Sequence, residues 1–335
     1  MKNVDVTQGL QDREYGKYVI IAVLFVAIIF LSIVTGKYPI TLRDILNIVT
    51  GGEINDTAKT VFYTLRLPRT IMVIIAGIGL SVSGSVYQII FKNPLASPDI
   101  IGVASGANLG AAIAIVFFSG DTLTIAMSAF LGGVAAVFAA LNLTKIAKDK
   151  GVIAFVLSGL VIGSIAQGII MLMKYVADPE KELAAMEFWA MGSFASVTDS
   201  KVVAMFPLFL IGIVGIVLLR WQINILSLND EEAKSLGVKV ELTRWAVIIC
   251  STMIVASIIC ITGLISFIGL IAPHIARIIR KRNDFTAVIL SGFIGAIILT
   301  VADCLVRSIS VSELPISILT TFIGAPFLAY LMSRH

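Results

Sequence analysis

Nine stretches of this chain, at 19–36, 70–91, 100–120, 122–144, 151–173, 202–219, 245–276, 285–302 and 314–333, contain no Asp, Glu, Lys or Arg. Each is at least 18 residues long, close to the roughly 20 apolar residues that a helix needs to cross a hydrocarbon core about 30 Å thick. No water reaches the backbone inside that core, so such segments must close their own hydrogen bonds as helices. The stretch 245–276 has 32 residues, too many for one ordinary span, and Gly263 and Gly269 ahead of Pro273 divide it into a full and a short span. The expectation is an all-α, polytopic membrane bundle of about ten transmembrane helices. It is expected to form one domain over 1–335, with 1–18 as a polar N-terminal segment.

Composition removes the competing classes. Of 335 residues, 58% are hydrophobic and 14% charged, against about 25% charged in a soluble domain. A soluble enzyme, a nucleic-acid-binding protein and a disordered chain are all excluded. No A-x-A site follows the first apolar run, so that span is expected to stay in the protein. Cys250, Cys260 and Cys304 lie in apolar runs without CxxC or Cys/His ligand spacing and read as buried thiols.

An even number of spans puts both termini on one side. With the N-terminus inside, 16 of the 25 Lys and Arg fall in inner segments, among them Lys92, Lys145, Lys148, Lys150, Arg277–Arg282 and Arg334. That is the positive-inside bias, and it places both termini in the cytoplasm of a cell-membrane protein. Two long segments, 37–69 and 174–201, then lie outside, and the apolar piece Phe188–Ala195 is expected to dip against the membrane as a short helix. Rows of small residues (Gly102, Gly106, Gly110; Gly77, Ser81, Ser85; Gly159, Gly163) predict spans whose backbones approach closely.

Little within the spans could do acid–base chemistry. Asp303 lies one helical turn before Arg307, so the two share a face and should pair. His274 follows Pro273 and reads as a structural hydrogen-bonding residue, and the terminal His335 carries no signal. HExxH, GxSG and GxxxxGK[ST] patterns are all missing, so neither a membrane enzyme nor an ATPase is expected, and no cofactor or metal site. Four patterns stand out instead: Arg66-Leu67-Pro68-Arg69; the proline-locked corner Asn93-Pro94-Leu95-Ala96-Ser97-Pro98; Asp230-Glu231-Glu232-Ala233-Lys234-Ser235-Leu236-Gly237, short, amphipathic and ended by glycine; and Glu313-Leu314-Pro315 with Gly324-Ala325-Pro326-Phe327. Lys92, just before the corner, reads as an interfacial anchor.

The set RLPR (66–69), NPLASPDIIGVASGA (93–107), GLISFIGLIAPHIAR (263–277) and ELP…GAP (313–326) resembles the FecCD family, the permeases of type II ABC importers for ferric siderophores, haem and cobalamin. The resemblance runs in order from about residue 60 to the C-terminus. One departure is Ser317, near where the family usually has glycine just after ELP. The resemblance implies a vitamin B12-permease-like bundle with cytoplasmic termini, paired with a second permease copy or paralogue. It also implies two cytoplasmic ATPase subunits and an extracellular or periplasmic substrate-binding protein, with no nucleic-acid partner.

Residue by residue, the resemblance implies that Arg66, Arg69 and Arg307 dock acidic residues of the binding protein. Asn93, Pro94, Leu95 and Ala96 would form the cytoplasmic gate, and Asp230, Glu231, Glu232, Ala233, Lys234, Ser235, Leu236 and Gly237 the helix seated on the ATPase. Ferric siderophores are the substrate class expected first, with haem or cobalamin as alternatives. An ion-coupled secondary transporter would need ionisable residues at the bilayer midplane, which the long spans lack. A channel or structural bundle would show no dependence on ATP.

Overall fold

The computed structural model describes residues 2–52, 55–118, 120–147, 151–309 and 314–333. Lys148, Lys150, Glu313, Arg334 and His335 lie outside the described residues. Runs without charges have no way to satisfy their backbone except internally, and helix is what they form. The helices are α1 (Lys2–Val34), α2 (Leu42–Thr50), α3 (Asp56–Thr60), α4 (Leu67–Ile90), α5 (Val103–Phe117), α6 (Thr122–Thr144), α7 (Val152–Val176) and α8 (Ala184–Ala190). There follow α9 (Asp199–Leu218), α10 (Arg220–Leu226), α11 (Asp230–Ser235), α12 (Val240–Thr262), α13 (Ile268–Arg280), α14 (Phe285–Ile309) and α15 (Ile316–Met332).

Among the described residues, seven helical segments are long and apolar enough to cross a membrane: Gly16–Val34, Asp56–Ile90, Thr122–Thr144, Val152–Val176, Asp199–Leu218, Val240–Thr262 and Phe285–Ile309. The second joins α3 to α4 through a π-helical turn, Val61–Arg66. The ten helices expected are thus met by seven of spanning length, with α5 and α15 as shorter apolar helices and the 13-residue α13 beside them.

Helix α4 runs through the middle and is buried along almost its whole length, with α12, α13 and α14 closing round it. The approach is backbone to backbone. A Cβ on Gly77 would stand 2.5 Å from Ala296 Cα on α14, and one on Gly84 would overlap the Gly269 carbonyl on α13. Gly106 meets Gly132, and Gly110 meets the Ser128 carbonyl, where α5 packs on α6. The small-residue rows are therefore the contact faces, as their spacing predicts.

The long stretch 245–276 divides as expected, but only at Gly263, where φ is +69 and α12 ends. Gly269 and Pro273 both sit inside α13, and Gly269 is used for its close contact with α4. The short helix expected at Phe188–Ala195 also falls earlier. It occupies Ala184–Ala190, and the chain turns away at Gly192 (φ +66), where a Cβ would strike the Leu264 carbonyl. Ser193 N–H donates to the Thr262 carbonyl (2.7 Å), Ile316 N–H to that of Gly192 (3.0 Å), and the Ser317 hydroxyl to that of Leu264 (2.7 Å). Serine at 317 thus satisfies a carbonyl that the end of α12 leaves open.

Gly77→Val should cost about 1–3 kcal/mol through overpacking against α14, seen as a lower midpoint of thermal inactivation in detergent. Gly16→Ala, with nothing within 4 Å of its Cβ, should leave the midpoint in place.

Candidate functional site

The named residues gather at two opposite ends of the bundle. At one end, Arg66 closes the π-helical turn, Arg69 lies in the first turn of α4, and Arg307 in the last turns of α14. Asp303 is fully buried between two of them. Arg69 donates from Nε (3.0 Å) and Nη2 (2.8 Å) to Asp303 Oδ1, and Arg307 Nε is 3.0 Å from Oδ2. The pair expected at 303 and 307 is present, and Arg69, 234 residues earlier, completes it as a triad. Arg307 also donates to Ser32 Oγ (2.9 Å) and the Thr35 carbonyl (3.2 Å), which fastens the end of α1.

Arg66 stands apart from the carboxylate. Its Nη2 donates to the Tyr38 carbonyl (3.1 Å), while Nη1 is buried and has no partner. Gly36 (φ +148) lies against the guanidinium so closely that a Cβ would overlap it. Arg66, Arg69 and Arg307 border a cavity of about 240 Å³ with Lys37, Tyr38 and Phe194. Its wall carries three arginines and a lysine, while Asp303 supplies one negative charge, so the field in it favours an anion. All three arginines are more than nine-tenths buried, so they line a recess and do not stand on an exposed rim.

At the other end, α4 finishes at Ile90 and Lys92 adopts φ +51, a left-handed conformation uncommon outside glycine. Asn93 Oδ1 accepts from Leu95 N–H (2.9 Å) and the Asn93 carbonyl from Ala96 N–H (3.1 Å), so the corner is closed on itself. Ala96 is fully buried, Pro94 is exposed and the Leu95 side chain is half exposed. The segment 230–237 forms α11 over Asp230–Ser235, opened by a capping box between Asn229 and Glu232. Leu236 ends the helix, and Gly237 (φ +83) reverses the chain with its N–H on the Lys234 carbonyl (2.9 Å). Ala233 is the one fully buried residue of the segment, while Glu231, Glu232, Lys234, Ser235, Leu236 and Gly237 are exposed.

These two features touch. Asp230 Oδ1 accepts from Lys92 Nζ and from Arg244 Nη2, each at 2.8 Å. Burial works to raise the Asp230 carboxyl, but the hydrogen bonds from Arg244 and Lys92 outweigh it and hold the group below its ordinary range. The contribution is present above the unfolded-state pKa and fades only as pH falls through the lower folded one, so the link stands at neutral pH. Lys92 is therefore an ion-pair partner and not a free interfacial anchor. Nothing in the pattern around Lys92 marks Asp230 as its partner, 138 residues away. His274 packs edge-on against Phe327, and the three cysteines are unpaired, with Cys304 buried.

The described residues thus form a bundle of apolar helices with a cationic recess at one end and a capped short helix beside a proline corner at the other. The profile of the FecCD transport family matches residues 24–334. The chain is 34% identical to the molybdate import system permease protein MolB of Haemophilus influenzae, over 97% of this chain and 98% of that one. It is 35% identical to a probable iron chelatin transport system permease protein of Helicobacter pylori over 81% of each. A solved ABC transporter assigned to the metal-chelate type, in an inward-facing conformation, matches with a TM-score of 0.85 at 33% identity, covering 97% of this chain and all of that one. The chain belongs to the FecCD transport family.

Removing the charge at Asp303 leaves Arg69 and Arg307 buried without a counter-ion, a loss of about 3–5 kcal/mol. Asp303→Asn should therefore lower the yield of folded, monodisperse permease on size exclusion in detergent.

Proposed function

We propose that this permease carries a metal chelate inward at the expense of ATP hydrolysed on separate subunits, with ferric siderophores the first substrate class. The observation that supports the reading is the placement of a cationic recess and a capped surface helix at opposite ends of one bundle. The recess end faces outside and meets the substrate-binding protein. The α11 end faces the cytoplasm, with both termini, and seats on an ATPase. Two permeases, identical or paralogous, enclose the path, with Asn93–Ala96 at its cytoplasmic mouth. The whole of 1–335 acts as one permease domain, with 1–18 cytoplasmic, and does no chemistry itself.

Within the recess, Arg66 is the docking ligand. Its buried Nη1 has a hydrogen bond left to give and takes a carboxylate that enters the recess as the neighbouring side chains move aside, whereas Arg69 and Arg307 share Asp303 and chiefly set the potential. Charges arranged this way steer and orient a partner. A molybdate cargo is the second reading, favoured by the similarity to MolB. Uptake of radiolabelled ferric siderophore and of molybdate by proteoliposomes holding the complete importer separates the two.

Arg66→Glu should weaken binding-protein docking about 10-fold or more, and basic replacements of acidic residues on that protein should restore part of it. Gly36→Ala should act in the same direction, because its Cβ displaces the Arg66 guanidinium. Surface plasmon resonance on the permease in nanodiscs reads both. Unchanged binding and salt dependence in Arg66→Glu contradict the docking assignment.

A further inference from the structure

Asp230 of the surface helix and Lys92, just before the proline corner, are 138 residues apart in sequence and joined at a single carboxylate oxygen. Asp230 is the first residue of α11, and its Oδ1 takes Lys92 Nζ from one side and Arg244 Nη2 from the other. Lys92 immediately precedes Asn93. Arg244, almost fully buried in the first turns of α12, uses its Nε to hold the Ile90 carbonyl (3.3 Å), the last residue of α4. Both cations therefore grip the end of α4, and both are anchored on the same atom of α11. The left-handed backbone of Lys92 is uncommon for lysine, and the direction it gives the side chain is the one that reaches Asp230.

We infer that Asp230 is a positioning residue that transmits displacement of α11 to the Asn93–Ala96 corner, through Lys92 directly and through Arg244 and the Ile90 carbonyl. The inference rests on the assignment of α11 as the ATPase contact and of the corner as the gate. The physical ground is stiffness. Arg244, almost fully buried, holds Asp230 and the Ile90 carbonyl at once, and Lys92 adds a second charge-assisted bond to the same oxygen, so α11, α12 and the end of α4 are tied at one atom. A shift of α11 then pulls the last turn of α4 and the corner with it. Without the carboxylate, α11 remains capped by Asn229 and Glu232 but slides past α4.

The test uses the complete importer in nanodiscs, with Leu95→Cys labelled by a hydrophilic maleimide and the Leu95 parent giving the background from the native cysteines. Labelling is measured without nucleotide and with ATP plus vanadate, alongside ATP hydrolysis; substrate moved per ATP is measured in proteoliposomes. In the Leu95→Cys importer the labelling rate should change with nucleotide. Adding Asp230→Asn, which keeps the size of the side chain, should abolish that change and lower substrate moved per ATP hydrolysed about 5-fold or more. Lys92→Met should act in the same direction and Lys92→Arg should restore coupling, which keeps the test intact if Asp230→Asn assembles poorly. If Asp230→Asn and Lys92→Met respond to nucleotide as their parent does, the inference is overturned while the gate assignment stands. If Leu95→Cys itself ignores nucleotide, the gate assignment falls and the inference with it.

Discussion

The close approach of α4 to α13 and α14 is the constraint on which the rest of the structure hangs. Gly77 and Gly84 bring its backbone against Ala296 and Gly269, where a methyl group would not fit. Between lipid-bathed helices there is little hydrophobic drive to associate, so dispersion over such backbone contacts has to supply it. The result is a stiff rod of 24 residues, about 36 Å long at 1.5 Å per residue. Arg66 leads into one end, which carries Arg69, and the other end leads out to Lys92 and Asn93. The recess and the corner are thus the termini of one mechanical element.

Much of this is legible in the residues. Charge-free runs locate the spans because the bilayer leaves no other solution, and the small-residue rows locate the contact faces. Segment 230–237 is readable as a capped helix because Asn229, Glu232 and Gly237 are local signals at fixed offsets. The split of 245–276 is readable as a split, but not its place. Glycine both ends helices and lets them touch, and Gly263 does the first while Gly269 does the second.

What sequence does not show is who meets whom across long separations. Asp303 and Arg307 are four apart and can be paired by inspection, whereas Arg69 joins them only because α4 packs on α14. For the same reason the burial of the three arginines expected to dock a partner is not legible in the sequence. Lys92 looks like an anchor until Asp230 and Arg244 are placed beside it. Short-range chemistry is written locally; burial is a property of the packed chain.

The buried triad also bears on how the protein is made. Helix α14 brings Asp303 and Arg307 together and so enters the bilayer with its charges already matched. Helix α4 brings Arg69 alone, and the carboxylate it needs is 234 residues downstream. At roughly 5–20 residues per second, that is a wait on the order of tens of seconds. Through that interval the side chain must reach up to the headgroups, as long cationic side chains do near helix ends. Docking of α14 is then the event that draws Arg69 inward, so the recess takes shape only once nearly the whole chain has been delivered.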